Sequence, residues 1–168
     1  MHQRIRNLVY GALLAALYIA LTHLQNALLP GSASWAIQFR VSEALCIMAL
    51  FTPSAIPGLT IGCMLFNFSF VGALPLDWLV GSAATAAATG SMWLTRKWTI
   101  GGFPLFALLM PALWNALLIG WELSIYIGGG FWLNALYVAI GEAVVLLTLG
   151  SLLYYALRAR HLDERLFG

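Results

Sequence analysis

Charge is what this sequence has least of. Only 8% of its 168 residues are charged, against about 25% in soluble domains. In their place 62% are hydrophobic, and the mean hydropathy is +0.89. There is too little polar surface to cover a water-soluble domain of this size, and the same numbers exclude a disordered chain. Lysine occurs once, as Lys97, beside Arg96 in a polar stretch, which excludes a Schiff-base lysine inside an apolar segment. No G-x-x-x-x-G-K-[ST], H-E-x-x-H or G-x-S-x-G is present, so the chain has no phosphate loop or metalloprotease motif of its own. His2, His23 and His161 lack metal-ligand spacing, and no aspartyl pair lies in an apolar segment. The two cysteines, Cys46 and Cys63, read as buried small hydrophobes. A net charge of +2 is too small to suggest nucleic acid. No cofactor is implied.

What remains is a polytopic membrane protein. Seven charged residues interrupt the chain between Arg6 and Arg158, and a spanning helix takes about 20 apolar residues. The apolar runs are continuous, unlike the short alternating segments of a transmembrane barrel. Pro and Gly punctuation predicts helices over Asn7–Leu29, Gln38–Phe51, Pro57–Val71, Trp78–Thr95, Pro104–Ile127 and Phe131–Leu157. The whole chain, 1–168, reads as one domain beginning at Met1 with no cleaved leader. Six crossings put Arg4 and Arg6, Arg96 and Lys97, and Arg158, Arg160 and Arg165 on one side, leaving only Arg40 on the other. Basic residues mark the cytoplasmic side. The expectation is therefore an all-α, six-helix bundle in the cell membrane with both termini cytoplasmic.

Charge inside a membrane costs about 2.5–3.5 kcal/mol even on lenient scales, so each such residue calls for a reason. This topology gathers Arg40, Glu43, Asn67, Asp77, Asn115, Glu122, Asn134 and Glu142 in the outer half. That is the outline of a pocket open outward and closed below. In the fifth segment Asn115, Ile119, Glu122 and Tyr126 share a face, with Trp114 and Trp121 on the adjoining stripe. In the sixth, Asn134, Tyr137 and Gly141 share a face with Glu142 beside it. Carboxylates, amides and aromatic rings suit a flat, donor-rich heterocycle. The candidate contacts are Trp35, Arg40, Glu43, Asn67, Asp77, Asn115, Trp121, Glu122, Asn134, Tyr137 and Glu142. Blander roles compete. Glu122 and Glu142 could join helices, Arg40 and Glu43 could form an i, i+3 ion pair, and Asp77 reads as an N-cap. Trp35, Trp78 and Trp132 suit an interfacial belt, and His23 suits packing. Ala12, Ala16 and Ala20, four apart with Gly11 and Ala15 beside them, allow close helix approach, either within the bundle or toward a partner.

Five segments resemble a known family: AIQFRVSEAL (Ala36–Leu45), AIPGLTIGCMLFN (Ala55–Asn67), DWLVGSAAT (Asp77–Thr85), WNALLIGWEL (Trp114–Leu123) and FWLNALYVAIGEAVV (Phe131–Val145). They are similar to the queuosine-precursor transporter (QueT) family, substrate-binding S components of energy-coupling factor importers. The resemblance implies a six-helix subunit that binds a vitamin-like substrate at the outer side. It also implies a transmembrane coupling subunit (EcfT) and two cytoplasmic ATPases as partners, with Ala12, Ala16 and Ala20 as the docking stripe. The implied substrate is a 7-deazaguanine, a queuosine precursor or queuine, with one carboxylate accepting from the guanine-like edge and another pairing with a side-chain amine. Another flat vitamin or nucleobase is the alternative within this class. A membrane-embedded enzyme or a structural or channel subunit would be the alternatives outside it.

Overall fold

The computed structural model describes residues 2–30 and 39–160. Its described residues are helical apart from turns and one isolated bridge between Ile100 and Phe103. The first helix, α1, runs His2–Leu28. A 3-10 helix, Val41–Leu50, follows, and then α2 (Ala55–Ser69) and α3 (Asp77–Thr95). The short α4 (Leu105–Leu108) leads into α5 (Met110–Tyr126). α6 (Phe131–Val145) passes through a π segment, Leu146–Gly150, into α7 (Ser151–Ala159). Three helices are long and apolar enough to cross a membrane: Gln3–Leu28, Leu105–Tyr126 and Phe131–Ala159.

The punctuation explains most of the boundaries. Gly128, Gly129 and Gly130 all have φ between 80° and 86°, which a side chain rarely tolerates, so the α5–α6 turn depends on them. Pro111 lies in the first turn of α5, where its missing N–H goes unmissed. The second segment departs from expectation. It starts at Val41 and is a ten-residue 3-10 helix, whereas such runs rarely exceed 3–4 residues. At about 2.0 Å per residue it reaches roughly 20 Å, where ten α-helical residues would reach about 15 Å. The tighter winding lets a short segment run deeper between its neighbours.

The core lies among α1, the 3-10 helix, α2 and the π segment, around Tyr18, Ile47, Leu59, Phe66, Leu108 and Leu146. At the end of the bundle where α2 begins, α1 and α2 meet backbone to backbone. A Cβ on Gly58 would sit 2.5 Å from the Gly11 carbonyl oxygen and 2.8 Å from its Cα, and one on Gly62 would sit 3.0 Å from the Ala15 Cα. Gly11 and Ala15 are thus spent on internal packing. Ala12, Ala16 and Ala20 lie on the exposed side of α1. Cys46 and Cys63 are both buried and free.

A buried acidic cluster and an exposed alanine face

The polar residues converge at the end of the bundle where α1, α2 and α5 finish and the 3-10 helix, α3 and α6 begin. On α1, Tyr18, Thr22 and Gln25 follow i, i+4, i+7 spacing and are buried on one face. The Tyr18 hydroxyl donates to Glu43 Oε1 at 2.5 Å. The Thr22 and Ser42 hydroxyls lie 2.7 Å apart, with Thr22 donating back to the Tyr18 carbonyl. Gln25 takes the backbone with both ends of its amide. Its Nε2 donates to the Phe39 carbonyl, and its Oε1 accepts from the Val41 N–H at 2.8 Å. This seam fixes the approach to the 3-10 helix and the two charges it carries, Arg40 and Glu43, both buried. Cys46 Sγ donates to Glu43 Oε2 at 3.2 Å, so both Glu43 oxygens have a donor.

Several predicted residues hold turns. Asn67 Nδ2 donates to the Asp77 carbonyl at 2.9 Å. Asp77 is the first residue of α3 and Leu76 is its N-cap, which corrects the capping expectation. The Asp77 Oδ2 reaches back to accept from Leu74 N–H at 2.9 Å, so it braces the turn rather than the helix start. Asn134 Nδ2 donates to the Gly128 carbonyl at 2.7 Å, tying α6 to the glycine turn. Tyr137 is half-buried. Trp121 is 47% exposed, next to the fully buried Glu122. Trp114 lies deeper along α5, donating to Ser91 Oγ at 3.0 Å. Trp35 falls outside the described residues. His23 meets Ser69 Oγ at 3.3 Å and the edge of Phe66.

Glu122 and Glu142 differ from the rest. Glu122 is fully buried on α5 with the Asp77 carboxyl within hydrogen-bonding reach and Arg40 within electrostatic range, and no N–H donor of the described residues reaches either of its oxygens. Glu142, buried on α6, has the Asn115 side chain beside it and Glu43 and Arg40 within range, and its Oε2 is unpartnered. Buried polar atoms are normally satisfied, and an orphan calls for an explanation such as a missing ligand. Three acceptor atoms without a donor in one acidic cluster make it the candidate ligand site. Among the described residues no group of His, Cys, Asp and Glu could hold a metal. The residues that sequence reasoning missed are Tyr18, Thr22, Gln25 and Ser42. The i, i+4, i+7 polar spacing within the apolar α1 was the signal for the first three.

On the other side of α1 the exposed Ala12 and Ala16 border an apolar groove of about 450 Å³, lined also by Leu8, Pro57, Ile61 and Leu65 among others. Asn7 and a few atoms of backbone supply nearly all that is polar there.

No solved structure matches this chain. The protein named "Queuosine precursor transporter QueT" from Lactococcus lactis subsp. cremoris (strain MG1363) is 41% identical over 83 residues, covering 47% of this chain and 44% of that protein. The chain therefore spans under half the length of that relative in the matched region. The QueT transporter family profile covers far more, matching residues 8–159. Taken with an all-helical fold, three helices able to cross a membrane and buried carboxylates left without donors, that match settles the family: this chain belongs to the QueT transporters.

Proposed function

We propose that the chain is the substrate-binding membrane subunit of an ATP-driven importer and takes up a queuosine precursor or queuine, both 7-deazaguanines. The observation that carries this reading is the set of orphaned oxygens on Glu122 and Glu142. A deazaguanine presents adjacent N–H donors on one edge, and a carboxylate accepts such a pair in parallel. The relative's name supports the substrate. The remaining parts are what the family resemblance implies: the chain carries no phosphate loop of its own, and two partner ATPases joined through a transmembrane coupling subunit would supply ATP hydrolysis. The exposed Ala12, Ala16 and Ala20, the first two lining an apolar groove, suit close docking of a partner helix.

In the membrane the chain crosses six times. Arg4, Arg6, Arg96, Lys97, Arg158 and Arg160 lie at the end opposite the acidic cluster, so both termini are cytoplasmic and the cluster faces outward. The test is a thermal-stability screen of the purified subunit in detergent with queuine, its two precursor bases, guanine and common vitamins. Stabilisation by a deazaguanine and not by the vitamins is expected. Stabilisation by an unrelated vitamin alone would overturn the substrate assignment, and a C-terminal tag labelled from outside intact cells would overturn the orientation.

A further inference from the structure

We propose that the basic end of the bundle holds one anionic phospholipid, its phosphate at Arg6 and one acyl chain in a groove between α1, the 3-10 helix and α7. This site is separate from the acidic cluster and holds whichever base is carried. Two hollows meet there. A polar pocket of about 160 Å³ is lined by Gln3, Arg6, Asn7, Tyr10, Thr52 and Trp93 among others. A wholly apolar groove of about 290 Å³ is lined by Tyr10, Leu14, Leu17, Met48, Leu153 and Leu157 among others. Tyr10 lines both, so the polar and apolar spaces adjoin across one side chain. A basic pocket leading into an apolar track has the shape of an amphiphile. A soluble anion would use only the first part and an apolar helix only the second.

Charge decides the headgroup. Arg6 brings a guanidinium, which is always charged and meets phosphate through a fork of N–H groups. A second guanidinium lies at the pocket's edge. Arg96 Cζ sits 3.4 Å from the centroid of the Trp93 ring, and Trp93 lines the pocket. Gln3 Nε2 donates to Asn7 Oδ1 at 3.1 Å, so the Asn7 amide is set with its acceptor engaged and its Nδ2 as a donor. Among the described residues every Asp and Glu (Glu43, Asp77, Glu122 and Glu142) lies toward the opposite end, so no carboxylate competes for these cations. Basic pockets between membrane helices suit anionic lipid headgroups. Depth decides the chain. From Arg6 to Leu17, α1 rises about 16 Å at about 1.5 Å per residue, about half of a hydrocarbon core roughly 30 Å thick. The track is therefore one leaflet deep, where a spanning partner helix would call for the full thickness. Lipid tails are as apolar as leucine, so the groove aligns the chain and the headgroup supplies the preference.

The experiment is native mass spectrometry of the purified subunit, stripped of lipid in detergent and then given phosphatidylglycerol, phosphatidylcholine or inorganic phosphate, with melting temperatures measured alongside. Wild type should retain one phosphatidylglycerol at least about fivefold more than phosphatidylcholine, the worth of one basic residue near an anionic lipid. Arg6→Gln should bring the two lipids level. Leu153→Trp fills the groove and should lose the bound phosphatidylglycerol while keeping the lipid-free melting temperature. Equal retention of the two lipids by wild type would overturn the site, and that comparison stands even if Arg6→Gln does not fold. A preference kept in folded Arg6→Gln would overturn the placing of the phosphate, and undiminished retention in Leu153→Trp would overturn the placing of the chain. Stabilisation by inorganic phosphate equal to that by phosphatidylglycerol would overturn the lipid in favour of a soluble anion.

Discussion

The two ends of the bundle are built on opposite principles. Where α1 and α2 start together, Gly58 sits against Gly11, close enough that a Cβ would meet backbone atoms, and Arg4, Arg6 and Arg158 lie in α1 and α7 near their chain-terminal ends. At the other end, four acidic side chains and Arg40 are drawn inward, three of the carboxylates being fully or almost fully buried, and three of their oxygen atoms lack partners. One end is closed by fit along the α1–α2 seam, where Gly58 leaves no room for a Cβ. The other carries an unmet demand for hydrogen-bond donors. α1 belongs to both, through Gly11 and Ala15 at the packed end and through Tyr18, Thr22 and Gln25 at the polar one. The contrast teaches that a candidate ligand site in an apolar bundle is picked out by the polar atoms left unsatisfied rather than by the number of polar residues. Asn67, Asp77 and Asn134 are polar and near the cluster, yet each holds a turn.

The largest effect is expected at the packed end. Gly58→Leu forces side-chain atoms into the Gly11 backbone. Overpacking costs about 1–3 kcal/mol and more where backbone must move, so folded yield in detergent should collapse. A Gly58→Leu protein of wild-type melting temperature would mean that α1 and α2 do not touch there. Next comes Ala16→Leu on the exposed face of α1. Retention of the coupling subunit on co-purification should drop at least about tenfold, equivalent to about 1.4 kcal/mol, while the melting temperature and ligand affinity stay put. Normal retention would remove the alanines from the docking surface. Tyr18→Phe takes a 2.5 Å donor from Glu43. It should lower stability by about 1–3 kcal/mol at the upper limit, the range for orphaning a buried group, and nearer 1 because Cys46 still donates to the other oxygen. Urea or heat denaturation reads this directly. The smallest effect is expected for Trp121→Phe. An indole 47% exposed predicts a change in affinity below about 0.5 kcal/mol, whereas a stacking role would cost about 1–3 kcal/mol.

Much of the fold was legible because the breaks are chemical. Pro30, Pro53 and the run Gly128–Gly130 end segments that the structure ends within a few residues of the same places. The buried face of α5 was legible too, since Asn115, Ile119 and Glu122 are all buried, although Tyr126, assigned to the same face, is exposed where the helix runs out. The 3-10 winding of Val41–Leu50 was not legible, because its residues are equally at home in an α-helix and only the packing around it selects the tighter form. The π segment Leu146–Gly150 is hidden for the same reason. The α1 seam was masked by a stronger pattern. Small residues at four-residue spacing drew the reading to Ala12, Ala16 and Ala20, while Tyr18, Thr22 and Gln25 carry the polar contacts on another face.

The central claim is that the orphaned carboxylate of α5 is held open for a ligand. Titration calorimetry of Glu122→Gln with the base that most stabilises wild type tests it most directly. The substitution is nearly isosteric, removes the charge and replaces one acceptor oxygen with a donor, leaving buried groups mismatched at a cost of about 1–3 kcal/mol. The account predicts a loss of affinity of at least about tenfold with the unfolding transition retained. Wild-type affinity in Glu122→Gln would contradict it, making the carboxylate a structural group and placing the binding site elsewhere in the bundle.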